Sequence, residues 1–533
     1  MLQEVDIEVQ TIISDIKGRD KIMKLRGLHN LRYVSSAIGP DNTRDLICQL
    51  MNDKSMTIEM HVFLAGTLGD MLAHIGGENE IDFLLSKLSH YCSDDSYEIH
   101  EKATDSFIFL ASHVTTSVLS DILIPKLSEM SNSPFHRSRS SAATVMCQIS
   151  NLCSTSSVPI IASLLEKLSQ DSSVQVRKSL IDGIPFAINS NRYDQNIIKS
   201  IITTLSKDSE AIIVSSIPSS LIPFKTVYKC PNFVDYICQH ITNCTFWQPK
   251  SSLINSIDKI TQNPVIIEEI FRKAPNDSSQ FVRSSFAKKI QYFLDNYGFN
   301  IQEAIDVYIK LSFDDSNDVK LSIAKSLSQS QPIIIEKVLP NLIYDSDSEI
   351  RYTSFHAFAC VPSQLSLPIE YVCEVSRSSN WRNRNDSLIV IPRMISSVTD
   401  LEFSDKLLPI PLSLISDNVC EVRIRASECL KEISSKFGKE WCLTHIAPKI
   451  KLIVKDSDYH IRQVAIKSIF IMNLDDCFSS ELKELSKDPV SNVRIIIAKE
   501  IPEIYQDIIR ELQNDKDSDV SYFAKQRLNL TSL

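Results

Sequence analysis

The feature that most constrains the fold of this 533-residue chain is one short phrase that recurs along it. Each copy has an acidic or polar turn, a β-branched residue and then an arginine or lysine. The copies are Asp171–Arg177, Asp277–Arg283, Asp314–Lys320, Asp345–Arg351, Asp417–Arg423, Asp456–Arg462, Asp488–Arg494 and Asp517–Val520, the last without the basic residue. A phrase that returns every few tens of residues predicts an array of small units rather than separate globular domains.

The residues after each phrase predict a helix. Positions four and eight beyond the β-branched residue are nearly always apolar, as in Val176, Leu180 and Ile184, and only Ser354 interrupts this stripe. Such spacing places the apolar side chains on one face of a helix that begins at the phrase. The Asp or Ser of the turn is placed to cap that helix by accepting its free amide hydrogens.

Other apolar helical runs precede the phrases, and several carry a proline that starts or bends a helix, at Pro125, Pro340, Pro409 and Pro448. Each unit is therefore predicted to be a helix, a short turn and a second helix, which is the HEAT pattern. One such pair has too little core to fold alone, so neighbouring pairs must stack and bury the stripes. The predicted fold class is an all-α solenoid.

Composition narrows the possible functions. Only 10 glycines are present, so phosphate-binding glycine loops are scarce, and 43% apolar with 23% charged residues is typical of an ordered protein. A net charge of −10 without a basic run predicts no nucleic-acid partner. The 13 scattered cysteines predict reduced thiols in the cytosol or nucleus. The amino terminus lacks signal-peptide features, and no apolar run predicts a membrane span.

No catalytic constellation is present in the sequence. It has no dinucleotide-binding, Walker or nucleophile-elbow motif. His100-Glu101 suggests a zinc protease, but Thr104 stands where the second histidine is required. We therefore predict a protein that is not an enzyme and has no cofactor, metal or catalytic residue.

Several segments share a pattern beyond the repeat phrase. They are Gly76–Glu80 with Leu84, Leu85, Lys102 and Ala103, Ser131–Ala142, Phe437–Trp441, Ile446–Lys449, Asp488–Arg494 and Asp519–Ala524. In order and spacing these segments resemble one known family, the scaffolding A subunit of protein phosphatase 2A. The resemblance is strongest after Asn380 and weakest between Asp208 and Lys250.

The resemblance implies a right-handed superhelix of about fifteen HEAT repeats whose turns form a binding ridge. It further implies a hetero-oligomer, dimeric or trimeric, in which this chain binds the catalytic subunit of a serine/threonine phosphatase together with a variable B-type regulatory subunit. The regulatory subunit would bind to residues 1–379, and the catalytic subunit to residues 380–533. The implied location is the cytoplasm, with the nucleus as a second site.

The resemblance also assigns turn residues to each partner. Catalytic-subunit contacts are implied at Trp381, Arg382, Tyr459, Arg462, Asp488, Pro489 and Val490, and regulatory-subunit contacts at Phe135, Arg177, Lys178 and Trp247. Tryptophan and arginine are also the side chains most enriched at binding hot spots. Cys420 stands where the family has a tyrosine, so that contact is lost or replaced. Trp441 follows a helix end at Gly438, which predicts packing between repeats.

Two other functions fit the same pattern. A HEAT-repeat nuclear transport receptor would be longer and more acidic, and it would bind partners through its inner helices. A scaffold for a related phosphatase would differ only in the enzyme that it binds.

Overall fold

The computed structural model describes residues 2–360 and 369–530, and within these residues it contains helices and turns but no strand. The chain forms two compact units, Met1–Phe293 and Leu294–Leu533. In each unit, helices are joined in pairs by short turns and pack on the next pair, which confirms the all-α HEAT-repeat prediction. The predicted division at residue 380 concerns partners rather than folding, and it stays a prediction.

The first unit is built from helices that are joined in pairs along most of its length. Its α-helices are Leu2–Lys17, Lys21–His29, Leu31–Ile38, Pro40–Met51, Ile58–Leu68, Ile81–Tyr91, Tyr97–Ala111, Thr116–Val118, Ile124–Ser131, His136–Gln148, Val158–Leu168, Val174–Asn189, Gln195–Ser206, Ala211–Val214, Ile217–Tyr228, Pro231–Thr242, Trp247–Ile260, Pro264–Lys273 and Gln280–Tyr297, within which the unit ends. Short 3₁₀ turns lie at Leu72–Ile75, Glu78–Glu80 and Ala274–Asn276.

The second unit repeats the same arrangement. Its α-helices are Ile301–Ser312, Asn317–Leu327, Pro332–Leu342, Ser348–Cys360, Ile369–Ser376, Trp381–Met394, Asp400–Glu402, Pro409–Leu414, Cys420–Phe437, Lys439–His445, Ala447–Ile453, Tyr459–Ile471, Ser479–Leu485, Ser491–Glu500, Gln506–Leu512 and Ser518–Leu530. Short 3₁₀ turns lie at Ile395–Ser397, Asp475–Phe478 and Glu503–Tyr505.

The apolar stripe after each phrase forms the core between pairs. Val176, Leu180 and Ile184 are fully buried, as the spacing predicts. Ser354, which interrupts the stripe, is equally buried, and its hydroxyl donates to the carbonyl oxygen of Ile350 at 2.7 Å. The polar atom is therefore satisfied inside its own helix, and the core tolerates it.

Two of the predicted prolines follow a widened helical turn. Pro125 comes just after the π-helical turn Leu119–Leu123, and Pro409 just after Phe403–Leu407. Proline cannot donate the amide hydrogen that continues an α-helix, and a π-helical turn is one way to absorb that missing bond. These prolines bend or start a helix at the predicted places.

One segment, Ala211–Tyr228, is apolar and long enough to cross a membrane by length and composition alone. In this structure it is divided into Ala211–Val214 and Ile217–Tyr228, and the second helix packs on Val174–Asn189 and Trp247–Ile260. Ile217, Leu221 and Phe224 are fully buried there. The segment thus contributes core to the first unit.

Trp441 packs between two neighbouring rings. Gly438 ends the helix Cys420–Phe437 with a φ of 82°, a value that glycine adopts without strain. The indole of Trp441 then stacks on Phe437 and on His445, each with a centroid distance of 4.3 Å. The Phe437 contact joins two successive repeats, which is the packing role that the sequence predicts.

The described cysteines are free thiols, and half of them are buried. Burial raises the pKa of the Cys147 thiol to about 12 and that of Cys238 to about 12, so both are neutral at physiological pH. They pack as small apolar side chains.

Candidate protein-binding turns

A ladder of ion pairs joins each turn to the turn of the next repeat. At Arg384, Nη1 donates to the carbonyl oxygen of Ser378 in its own turn at 2.9 Å. Nε and Nη2 donate to the two carboxylate oxygens of Asp417 in the next turn at 2.7 and 2.8 Å. The planar guanidinium reaches both turns at once, which a lysine cannot do with the same geometry.

The same contact recurs along both units as a ladder of rungs. The arginine rungs are Arg139–Asp171, Arg177–Asp208, Arg384–Asp417, Arg462–Asp488 and Arg494–Asp515, and lysine replaces arginine in Lys24–Asp53, Lys250–Asp277 and Lys320–Asp345. The predicted start of the last copy of the phrase, at Asp517, is wrong. Asp515, two residues before Asp517, holds the rung at that turn.

The turn Asp has a different role from the predicted helix cap. The carboxylate of Asp171 accepts from the amide of Ser173 at 2.8 Å and from Arg139. Ser173 is the N-cap residue of the helix Val174–Asn189, and its side chain makes no capping hydrogen bond. The prediction that the Asp or Ser of the turn caps the helix is therefore wrong for this turn. Asn380 and Asp458 do cap their helices, accepting from the amides of Arg382 at 3.0 Å and His460 at 2.9 Å.

The rungs are more buried than a surface ion pair. The side chains of Arg494 and Asp515 are 5% and 10% exposed. Hydrogen bonds from Arg494 lower the pKa of Asp515, and the same bonds raise the pKa of the Arg494 guanidinium. Both groups are charged at neutral pH, and each is satisfied by the other. Removing one partner alone would leave a buried charge unpaired, which is costly.

The ladder is interrupted at Arg423. Its Nη1 donates to the carbonyl oxygen of Asp417 at 2.7 Å, as in the other rungs. Its Nε is buried without a hydrogen-bond partner among the described residues, and no ion pair with Asp456 closes the rung there. The rung between this turn and the turn that begins at Asp456 is therefore open.

The Lys24–Asp53 rung predicts a pH effect in the amino-terminal repeats. Hydrogen bonds from Lys24 and from Ser55 lower the pKa of Asp53 to about 2. The pKa of Asp53 in the folded protein lies below its ordinary value. The rung's contribution to the free energy of unfolding is therefore complete above about pH 4 and is lost as pH falls toward 2. We expect Asp53→Asn to lower the free energy of unfolding at pH 7 and to matter little near pH 2, as measured by urea titrations at both pH values. The same loss of unfolding free energy at pH 7 and at pH 2 would contradict this expectation.

Two predicted contact positions, Trp381 and Tyr459, begin helices of the second unit, and Cys420 begins another between them. Trp381, Cys420 and Tyr459 are the first residues of Trp381–Met394, Cys420–Phe437 and Tyr459–Ile471, and equal sequence intervals separate them. Trp381 and Tyr459 are half-buried, and Cys420 is exposed. The guanidinium carbon of the exposed Arg382 lies 4.7 Å from the Trp381 ring centroid. These residues form one row on the turns.

The other predicted catalytic-subunit contacts divide into two kinds. Arg462 and Asp488 form a ladder rung, with bonds of 2.7 and 2.9 Å, and their side chains are 11% and 5% exposed. Their first role is structural. Pro489 is exposed and Val490 is half-buried at the start of Ser491–Glu500, so these two lie at the surface of the turn.

Exposed apolar side chains form a longer row in the first unit, which we call the apolar turn row. Each lies at the start of the second helix of a repeat, where the chain leaves the turn. Its members are Ile58, Tyr97, Phe135, Val174, Ile212, Trp247 and Phe281. Trp247 stacks on Phe281 with a centroid distance of 4.3 Å, so these two members contact each other across neighbouring repeats.

The four predicted regulatory-subunit contacts again divide by burial. Phe135 is 60% exposed and Trp247 37% exposed, and both belong to the apolar turn row. Arg177 forms a rung with Asp208, and Lys178 forms an ion pair with Asp182 on its own helix. Arg177 is thus occupied within the fold, whereas Phe135 and Trp247 are available at the surface.

The sequence did not reveal the other members of the row, Ile58, Tyr97, Val174, Ile212 and Phe281. A signal was present, because each is a large apolar residue that precedes the buried positions of its helix by a residue or two. Val174 and Val176 show the difficulty. Both are valines at the start of one helix, yet the first is exposed and the second is fully buried.

The described residues contain no group of three or more metal-ligating side chains. His100, which suggested a zinc site, is buried, with Nε2 at 2.8 Å from the Ser141 hydroxyl and 3.1 Å from the Arg137 carbonyl oxygen. Burial lowers the pKa of His100, so the ring is held neutral between two neighbouring helices. It has a packing role.

Paired helices, a turn ladder and rows of exposed side chains on the turns define a HEAT-type solenoid.

No protein-family model matches the chain. Curated relatives do match parts of it. The protein phosphatase 2A scaffold subunit of Dictyostelium discoideum is 26% identical over 133 residues, 25% of this chain and 23% of the relative. The regulatory A subunit of PP2A from Schizosaccharomyces pombe is 26% identical over 26% of this chain and 24% of the relative. That of Saccharomyces cerevisiae is 23% identical over 33% and 28%.

These matches support the resemblance predicted from the sequence, and the matched parts of the chain are similar, at low identity, to the A subunits of protein phosphatase 2A. The matches span about a quarter of the length of these curated relatives.

Two solved structures with similar folds are those of Kap95p and Kap121p. The Kap95p structure describes its binding to RanGDP. Kap95p is 11% identical, with a TM-score of 0.46 over 98% of this chain and 72% of that chain. Kap121p is 14% identical, with a TM-score of 0.46 over 99% and 57%.

Proposed function

We propose that this protein is a non-catalytic scaffold that assembles a serine/threonine phosphatase catalytic subunit with a variable regulatory subunit through its turns. The observation that carries the proposal is the row of Trp381, Cys420 and Tyr459, which presents side chains at equivalent places of successive repeats. Relatives named as scaffold and regulatory A subunits support it.

The two rows differ in chemistry, which suits two different partners. The apolar turn row of the first unit is mostly aliphatic and aromatic, whereas the row of the second unit includes a tryptophan with a guanidinium over it. Apolar and aromatic side chains that remain exposed on a protein surface mark interaction sites. We assign the first row to the regulatory subunit, and we assign the second row to the catalytic subunit.

The ladder explains how a scaffold of this kind acts. In each rung, the charged groups of two neighbouring turns pair with each other. The rungs therefore fix the spacing between exposed residues such as Trp247 and Phe281, and their charged groups are not needed to bind the partner. A substrate bound by the regulatory subunit is then tethered near the phosphatase, which raises its effective concentration to about the mM range for short spans. The scaffold contributes proximity, and the partner contributes chemistry.

Affinity purification of the tagged full chain from a lysate of its own cells tests this proposal. We expect a metal-dependent serine/threonine phosphatase catalytic subunit to be enriched in the eluate by mass spectrometry. Enrichment of a transport GTPase without a phosphatase would support the transport-receptor alternative and overturn the scaffold.

Phe135→Ser tests the assignment of the apolar turn row. Because the ring is 60% exposed, we expect unchanged thermal stability and a roughly tenfold weaker affinity for the regulatory subunit, measured by biolayer interferometry. Leu452→Ser, at an exposed helix position of the second unit, is the matched control and should leave that affinity unchanged. Equal losses from both variants would argue against the row.

A further inference from the structure

Two aromatic side chains project from neighbouring turns of the second unit. Phe313 is 68% exposed at the end of Ile301–Ser312, and Tyr344 is 70% exposed just after Pro332–Leu342. Each is the residue that immediately precedes the Asp that opens its turn. Exposing a large aromatic ring is unfavourable in water, so an adjacent pair at equivalent positions points to an interaction.

The same position is polar in other turns of the chain. The residues that precede the turn Asp elsewhere are Gln170, Lys207, Asn276, Ser416, Lys455 and Lys487. The aromatic pair is therefore a local departure from the repeat pattern, confined to two consecutive repeats. The fold does not require it, because six turns form without it.

The two turns are in direct contact and strongly acidic. Lys320 pairs with Asp345 at 2.5 Å, and the Asn317 amide donates to Asp347 at 3.1 Å, so one turn lies against the next. Residues 313–319 and 344–350 together contain six carboxylates and no lysine or arginine. Asp315, Asp318 and Glu349 are exposed.

Neighbouring cations neutralise part of this charge. Lys320 is used by Asp345, and Arg351 donates to the Asp345 carbonyl oxygen at 2.8 Å. The Lys325 ammonium lies 3.9 Å from a Glu349 carboxylate oxygen with both side chains mostly exposed. An exposed pair of that kind is worth little and exchanges readily for another cation. The two turns therefore carry exposed aromatic residues together with exposed carboxylates.

We propose that Phe313 and Tyr344, with the surrounding carboxylates, form a docking surface for an arginine-containing segment of a partner protein. A guanidinium stacks on an aromatic face by a cation–π interaction and donates to a carboxylate in the same pose. Arginine suits this better than lysine, because its planar group is more weakly hydrated. The surface lies within residues 1–379 but contains none of the individual contact residues named above for the catalytic or regulatory subunit.

The test uses the full chain and a fluorescein-labelled peptide of four Arg-Gly units, with binding followed by fluorescence anisotropy. We expect saturable binding that weakens at least fivefold in Phe313→Ser/Tyr344→Ser. A peptide of four Lys-Gly units should bind more weakly than the arginine peptide, and one of four Glu-Gly units should not bind. Leu452→Ser, which removes an equally exposed apolar side chain from the same unit, should bind like the unsubstituted chain.

Equal binding of the arginine peptide by the unsubstituted chain and the double serine variant would overturn the proposal, because attraction by net charge alone would then explain it. Absence of saturable binding would overturn it as well. If the serine variant lowers the melting temperature, Asp315→Asn/Asp318→Asn gives the same test through the carboxylates, with the same fivefold loss expected. Either failure leaves the phosphatase scaffold untouched, because that function is tested by other residues and partners.

Discussion

Replacing Trp381 with alanine is expected to weaken binding of the phosphatase catalytic subunit by about 2 kcal/mol or more, roughly a thirtyfold loss of affinity. Trp381 is the first residue of its helix, half-buried, with the Arg382 guanidinium over its ring. A partner that covers this pair would desolvate a large aromatic surface and a cation together. The core stripe of the helix lies further along, at buried residues such as Leu388 and Ile391, so the melting temperature should change little.

Trp441→Ala provides the matched control for that experiment. This tryptophan stacks between Phe437 and His445 and joins two repeats, so its loss should reduce stability. Isothermal titration calorimetry and thermal melts of both variants should therefore give opposite patterns. If Trp381→Ala lowered the melting temperature as much as Trp441→Ala and left the affinity unchanged, Trp381 would be a packing residue.

Arg494→Ala is expected to reduce the stability of the last repeat by about 3 kcal/mol. The substitution removes two hydrogen bonds to Asp515 and one to the Asp488 carbonyl oxygen, and it leaves a buried carboxylate without its cation. Asp515 opens the turn before the helix Ser518–Leu530, so that helix should lose protection first. Hydrogen exchange of its amides is the measurement.

The double variant Arg494→Ala/Asp515→Ala separates an unpaired charge from lost packing. Because both charges are then absent, its destabilisation should fall short of the sum of the two single losses by about 1 kcal/mol or more. Arg510→Ala removes an exposed arginine from the preceding helix and should change stability by less than about 0.5 kcal/mol. Strict additivity of the two rung substitutions would mean that the rung contributes no coupling.

The architecture could be predicted because its chemistry leaves a trace in the sequence. A guanidinium that joins two turns requires an Arg and an Asp at fixed places in each repeat, and a buried stripe requires apolar residues such as Leu180 and Ile184 at helical spacing. Both patterns survive in a chain whose relatives are only about a quarter identical.

The division between structural and binding residues could not be predicted in the same way. Arg462 and Asp488 resemble contact residues by position, but their side-chain directions place them in a rung. The same number of residues separates Arg423 from Asp456 as separates Arg384 from Asp417. Arg384 forms the ion pair, whereas the rung at Arg423 is open. These outcomes depend on the packing of neighbouring repeats, which sequence spacing does not report.

The most direct test of the scaffold is reconstitution from three purified proteins, followed by size-exclusion chromatography with light scattering. The account predicts one ternary complex of this chain with the catalytic and regulatory subunits of a phosphatase, and no association of those two subunits without this chain. Association of the two to the same extent without it, or the failure of both to bind it, would contradict the account.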